Sequence, residues 1–317
     1  MPNILIAGEL HPAGIDFLKK RSNYTFDYIK EVSDENFLPY LENADALLLR
    51  TQRFRKEDIE QTNNLKIVSR HGVGFDSIDT KALRKKNIPL TVVGDVNSTS
   101  VGEHTIMLIL AVFKRVLLAD EAVRKSNWKY RDNYEPTELF AKNLLIIGFG
   151  RIGQTVANLA KVFGMNISVY DPYISTKSVS KEVRYWDSLE EAISEADCIS
   201  LNLPKVESPV ISQETAKYLK PGVVLINTAR GGLIDLDVLK KGIQSGLIAG
   251  AGLDVFDDEP PDQNMILKDY KQVILTPHQA GLSRESARRM SVKSVQNILD
   301  FFDGKLDKEL IVNGVNP

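Results

Sequence analysis

The sequence predicts an α/β protein of two domains, each built around a largely parallel β-sheet. Three observations predict it. Short apolar runs alternate with amphipathic stretches through the first third of the 317 residues. One long helical stretch then interrupts the pattern, and the alternation resumes over most of the remainder. Strands alternating with helices make β-α-β units, whose crossovers leave neighbouring strands parallel. Length alone points to about two domains.

In the first third, residues 4–7, 46–49, 66–69 and 90–93 read as strands, and 12–21, 56–62 and 77–86 as helices. Residues 98–125 form one helical candidate. Its apolar face runs through Val101, Thr105, Leu108, Val112, Val116 and Ala119 at spacings of three and four. Asn97, Ser98, Thr99 and Ser100 offer N-caps, and Glu103 after Ser100 completes a capping-box pattern. A helix this long can tie two domains together. The polar, aromatic stretch 127–138 reads as a loop. Strands follow at 144–147, 166–170, 198–201, 223–227, 248–253 and 273–275, with helices at 151–163, 189–195, 213–218 and 236–245. A closing helix spans 284–302, with Gly304 as its stop.

Composition removes several function classes. The formal net charge of −2 argues against non-specific binding to nucleic acid or a membrane surface. The apolar run 106–113 is too short to span a bilayer, and the N-terminus lacks a basic segment followed by an apolar one. A cytoplasmic location is the expectation. The single cysteine, Cys198, makes no internal disulfide and sits in an apolar run that reads as a buried strand. No spacing suggests a metal site.

The strongest local signal is Gly148-Phe149-Gly150-Arg151-Ile152-Gly153, directly after the apolar run Leu144 to Ile147 and directly before a helical pattern. Gly148 permits a tight turn, Gly150 lets backbone approach a pyrophosphate, and Gly153 lets helix and strand pack closely. The helix N-terminus offers N–H groups and a positive dipole end to phosphates. The next strand ends in Asp171, at about the 20-residue distance at which an acid meets an adenosine ribose. A carboxylate there accepts from ribose hydroxyls and repels a 2′-phosphate, which favours NAD over NADP.

Beyond the loop, ordered motifs carry a resemblance: Arg70-His71-Gly72-Val73-Gly74-Phe75-Asp76, Asn97-Ser98 with Glu103, Tyr170-Asp171-Pro172 and Asn227-Thr228-Ala229-Arg230-Gly231-Gly232. They continue with Gly252-Leu253-Asp254-Val255-Phe256, Asp258-Glu259-Pro260 and Thr276-Pro277-His278. The chain resembles the D-isomer-specific 2-hydroxyacid dehydrogenases over nearly its whole length, and within them the phosphoglycerate dehydrogenases of short form, without a regulatory domain. The resemblance implies a Rossmann-type coenzyme domain, residues 99–285, inserted into a smaller flavodoxin-like substrate domain, residues 1–98 and 286–317. A homodimer is implied as well.

The same resemblance assigns the chemistry to Arg230, Glu259 and His278. A histidine can take the hydroxyl proton when hydride leaves C2 of a hydroxy acid. A carboxylate beside it fixes its tautomer. A guanidinium grips the substrate carboxylate and polarises the C2 oxygen. Singly, each of the three reads as an ordinary loop or surface residue; together, in matching motifs, they read as a site. Further cofactor contacts are implied at Val73, Arg151, Ile152, Thr228, Ala229, Asp254 and Gly281. His11 and His104 are expected to be structural or exposed.

Substrate binding is expected in the first domain. Gly72, Val73 and Gly74 can present N–H groups to a carboxylate. Arg50 and Arg70 follow neighbouring strands, where open α/β sheets bind ligands, and suit a second anionic group such as a phosphate. The alternative is that Arg50 joins Arg53 and Arg55 in an exposed basic loop. Three functions remain open: oxidation of 3-phosphoglycerate with NAD, reduction of hydroxypyruvate or glyoxylate, and NAD sensing without catalysis.

Overall fold

The computed structural model describes residues 1–31, 33–175, 180, 182–262 and 266–316. The chain divides into two compact units, Met1–Asn97 with Leu282–Pro317, and Ser98–Gly281.

Unit 1 contains the strands β1 (Asn3–Ala7), β2 (Thr25–Ile29), β3 (Ala46–Leu49), β4 (Ile67–Arg70) and β5 (Leu90–Thr91). Its helices are α1 (Pro12–Lys19), α2 (Lys56–Gln61), α3 (Thr80–Lys85) and, from the end of the chain, α9 (Arg284–Phe302). All pairings are parallel, in the order β2-β1-β3-β4-β5. The apolar strands are covered on both faces, by separate clusters centred on Leu47 and on Leu48, as a parallel sheet requires. Two serines of α9 fasten it to this unit: Ser294 accepts through its carbonyl from Ser69 Oγ, and Ser291 Oγ donates to the His11 carbonyl.

Unit 2 contains β6 (Asn143–Ile147), β7 (Asn166–Tyr170), β8 (Arg184–Tyr185), β9 (Cys198–Leu201), β10 (Val223–Asn227), β11 (Ile248–Leu253) and β12 (Val273–Leu275). Its helices are α4 (Ser98–Phe113), α5 (Val116–Arg124), α6 (Arg151–Val162), α7 (Leu189–Glu195) and α8 (Leu236–Ser245). The sheet order β12-β11-β10-β9-β6-β7-β8 is doubly wound, with its switch point between β6 and β9. Open α/β sheets bind ligands outside the carboxyl ends of the strands at such a point. α4 lies close to α6 because Gly102 faces Thr155; a Cβ at Gly102 would come 2.6 Å from Thr155 Cγ2.

Several features depart from the sequence expectation. The helix expected over 98–125 is two, because the chain leaves α4 at Lys114 and passes through Arg115 in a left-handed conformation, φ 52°. Arg115 Nη1 donates to the Ala249 carbonyl at 2.8 Å, which holds a turn that no glycine or proline announces. Ser100 lies inside α4, and its hydroxyl donates to the Ala280 carbonyl at 2.7 Å. The helix expected at 213–218 is a single 3-10 turn, Ala216–Tyr218. Strand β2 was hidden because it is an edge strand with no fully buried residue. Cys198 is buried as expected, and burial pushes its thiol pKa up.

Candidate active site

The glycine loop turns from β6 into α6 at the switch point of unit 2. Its three glycines meet different surroundings. Gly148 has φ 88°, and a Cβ there would lie 2.6 Å from the Asn202 carbonyl oxygen. A Cβ at Gly153 would lie 2.3 Å from the Gly148 carbonyl oxygen. Gly150 faces open space, with nothing within 4 Å of the added atom. So two glycines are demanded by packing, and the third leaves room outside the protein. Gly150 is also the N-cap of α6 and supplies no side-chain cap. The first N–H groups of this helix, at Arg151, Ile152 and Gly153, therefore face an anion-binding position.

Asp171 follows β7 and grips the same loop. Its Oδ2 accepts from Phe149 N–H at 2.8 Å, and its Oδ1 from Tyr173 N–H at 2.9 Å. The carboxylate is thus fixed beside the glycine turn, a role the sequence reading did not assign. The uncapped helix end and the fixed acid fit a dinucleotide: pyrophosphate at α6 and ribose at Asp171.

Thr228, Ala229 and Arg230 form the turn after β10. Asn227 shapes it: its Oδ1 accepts from Ala229 N–H, and its Nδ2 donates to the Arg230 carbonyl. Thr228 Oγ1 pairs with Thr105 Oγ1 at 2.8 Å, and Arg230 Nη1 donates to the Ala229 carbonyl at 2.6 Å. Gly231 must be glycine, since its Cβ would overlap the Phe256 carbonyl oxygen at 1.9 Å.

Glu259 and His278 come together. Nδ1 of His278 lies 2.5 Å from Glu259 Oε2, while Glu259 Oε1 accepts from Phe256 N–H at 3.1 Å. Burial pulls the Glu259 carboxyl up, but the hydrogen bonds from His278 and Phe256, with the charges of His278 and Arg230, outweigh it. Its pKa lies below the ordinary value. The carboxylate form is therefore held, and the imidazole donates from Nδ1–H, which leaves Nε2 as the proton acceptor. A carboxyl depressed in the fold stabilises it above the ordinary carboxylate pKa; that contribution fades as pH falls through the lowered value.

The loop carrying His278 is wound on Asp254, which follows β11 and is fully buried. Asp254 Oδ1 accepts from Thr276 Oγ1 at 2.5 Å and from Gln279 N–H at 3.0 Å; Oδ2 accepts from Ala280 N–H at 2.8 Å. His278 N–H donates to the Asp254 carbonyl, and His278 itself has φ 48°. Gly281 ends this unit.

In unit 1, Arg70 ends β4 in register with Leu49, the last residue of β3, and Arg50 is the residue after Leu49. Arg53 and Arg55 pair with Asp34 at 3.7 and 3.6 Å, and Arg50 is half-buried. Arg50 lies over Gly8, where a Cβ would meet its own Cβ at 2.7 Å. Arg70 Nη1 donates to the His71 carbonyl at 2.7 Å. The Gly72 N–H is turned onto the Arg70 carbonyl, so of the three N–H groups expected to form an anion nest this one is engaged; Val73 and Gly74 follow it in the turn.

Sequence reasoning missed Gln52 and left His71 ambiguous. Gln52 is almost fully buried; its Oε1 accepts from Thr51 N–H, and its Nε2 has no partner. His71 is buried with Nε2 unpartnered, and burial, with Arg70 and Arg50, lowers its pKa to about 3. The imidazole is neutral. Only the fold reveals that these polar groups lack partners; their positions in the sequence carry no signal.

Comparison with known proteins gives the same family from three directions. Residues 106–280 match the D-isomer specific 2-hydroxyacid dehydrogenase, NAD binding domain. The chain is 34% identical to a glyoxylate reductase of Aeropyrum pernix over 98% of this chain and 96% of that protein. It is also 34% identical to the D-3-phosphoglycerate dehydrogenase of Methanocaldococcus jannaschii, over 98% of this chain but only 59% of that protein. Among solved structures, D-lactate dehydrogenase from Aquifex aeolicus, complexed with NAD and lactic acid, superposes with a TM-score of 0.87 at 31% identity, covering 99% of this chain and 100% of that one. The chain belongs to the D-isomer specific 2-hydroxyacid dehydrogenases, and unit 2 carries their NAD-binding domain.

Proposed function

We propose that the protein oxidises a phosphorylated D-2-hydroxy acid at C2 with NAD, converting 3-phosphoglycerate to 3-phosphohydroxypyruvate, a step of serine biosynthesis in the cytoplasm. The observation that carries the substrate half is that Arg50 and Arg70, at the carboxyl ends of neighbouring strands, both act on the His71 ring, with the buried donor Gln52 Nε2 near Arg50. Two guanidiniums suit a dianionic phosphate, which accepts charge-assisted hydrogen bonds on several oxygens. NAD supplies the hydride acceptor. His278 Nε2 takes the hydroxyl proton, Glu259 holds Nδ1–H, and Arg230 binds the substrate carboxylate and polarises the C2 oxygen. Asp171 favours NAD by accepting from the ribose hydroxyls. In this reading Gly148, Gly150, Arg151, Ile152, Gly153, Thr228, Ala229, Asp254, Gly281 and Val73 surround the cofactor, and Val73 and Gly74, in the turn begun by Gly72, take the substrate carboxylate.

A second reading, glyoxylate or hydroxypyruvate reduction, is favoured by one observation: a glyoxylate reductase is as similar to the chain, at 34% identity, as a phosphoglycerate dehydrogenase. A homodimer belongs to the same proposal. Val116, Leu117 and Val123 of α5 and Trp128 beyond it are exposed, an apolar surface that a second copy would cover.

Initial rates decide the substrate. With NAD, 3-phosphoglycerate should exceed D-glycerate in kcat/KM by about 100-fold, the worth of roughly two charge-assisted contacts; efficient turnover of glyoxylate with phosphoglycerate ignored contradicts the proposal. His278→Ala should lower kcat by about 10²–10⁴-fold and leave NADH binding intact. Gly150→Ala should unfold at the wild-type temperature yet weaken NADH at least ~10-fold, about 1.4 kcal/mol, whereas Gly153→Ala should lose about 1–3 kcal/mol of stability. Sedimentation should give a dimer mass that Leu117→Glu converts to monomer.

A further inference from the structure

Two residues of α4 reach the loop that carries His278, and the chemistry above uses neither. Ser100 is buried and donates from Oγ to the Ala280 carbonyl at 2.7 Å. His104 stands one turn further on, on the same face of the helix. Its Nε2 lies 3.0 Å from Thr276 Oγ1 and 3.5 Å from Asp254 Oδ1.

The proton directions follow from counting. A threonine hydroxyl has one proton, and at 2.5 Å that of Thr276 goes to the Asp254 carboxylate. Thr276 Oγ1 therefore accepts from His104, whose proton must sit on Nε2. Burial lowers the His104 pKa, against the pull of Asp254, so the ring is neutral in this tautomer. A chain of donors runs from His104 through Thr276 to Asp254, and Asp254 in turn collects the N–H groups of Gln279 and Ala280.

α4 thus holds the loop on both sides of His278, at Thr276 through His104 and at Ala280 through Ser100. Between these grips His278 occupies a left-handed conformation that a non-glycine residue adopts only when its surroundings impose it. The same short segment aims Nδ1 at Glu259. We infer that Ser100 and His104 are positioning residues that fix the His278 imidazole by clamping its loop to one face of α4. The inference rests on His278 being the proton acceptor.

The test uses the full chain. His104→Leu removes the donor to Thr276, and His104→Gln restores one at nearly the same reach. The clamp predicts that His104→Leu lowers kcat about tenfold or more, since small misplacements of a reacting group are costly. KM and the NADH Kd should stay within about twofold of wild type, and His104→Gln should recover most of the loss. Ser100→Ala should act in the same direction, and it carries the test if His104→Leu does not fold. The chain has four histidines, so the ring carbon signal of His278 can be assigned by replacement; it should shift or broaden in His104→Leu and return in His104→Gln. An unchanged kcat and ring signal in both His104→Leu and Ser100→Ala overturn the inference, as does equal loss in His104→Leu and His104→Gln. Full activity in His278→Ala would instead overturn the assignment of the proton acceptor, while the ring signal would still report on the clamp.

Discussion

One buried carboxylate organises the catalytic end of unit 2. Asp254 has no exposed surface, and an ionised group so placed is tolerable only if several donors surround it. The fold meets that demand with backbone and side chain from one short segment: the Thr276 hydroxyl and the N–H groups of Gln279 and Ala280. Satisfying the carboxylate leaves the segment one conformation, and that conformation carries His278 to Glu259. The pairing of β11 with β12 makes this possible, because it sets Leu253 beside Leu275 and brings the two loops out side by side.

The same device recurs at the glycine turn. Asp171, at the end of β7, fastens the glycine turn through Phe149 N–H before any ligand arrives. Both acids stand just past the carboxyl ends of parallel strands, where main-chain N–H groups are left over as the ladder stops. In unit 1 the corresponding position is cationic. Arg50 and Arg70 lie at the carboxyl ends of adjacent strands, and the His71 ring between their fields stays neutral at ordinary pH. The two units thus differ in charge at their strand ends: acids hold loops in the coenzyme unit, and arginines stand at the strand ends of the other.

Much of this was legible in the sequence. Strands such as Leu144 to Ile147 are buried on both faces, so they appear as unbroken apolar runs, and a glycine loop after one of them has few other readings. Glu259 and His278 were legible only as motifs; nothing in their spacing says that the rings and carboxylates meet. What stayed hidden had physical reasons. β2 is an edge strand with a half-wet surface. The break at Arg115 rests on a hydrogen bond to Ala249, far away in the chain. Ser100 has the composition of a cap, and its partner is Ala280. Gln52 and His71 are ordinary polar residues until the fold buries them without partners.

The proposed chemistry is one transfer: hydride between the nicotinamide and C2 of a 2-oxo acid, with His278 proposed to carry the proton. A single turnover with NADH carrying deuterium at C4 of the nicotinamide, mixed with 3-phosphohydroxypyruvate, tests it directly. The account predicts 3-phosphoglycerate of D configuration with the deuterium at C2. Product without deuterium at C2, or of L configuration, or no turnover of any 2-oxo acid, would contradict it.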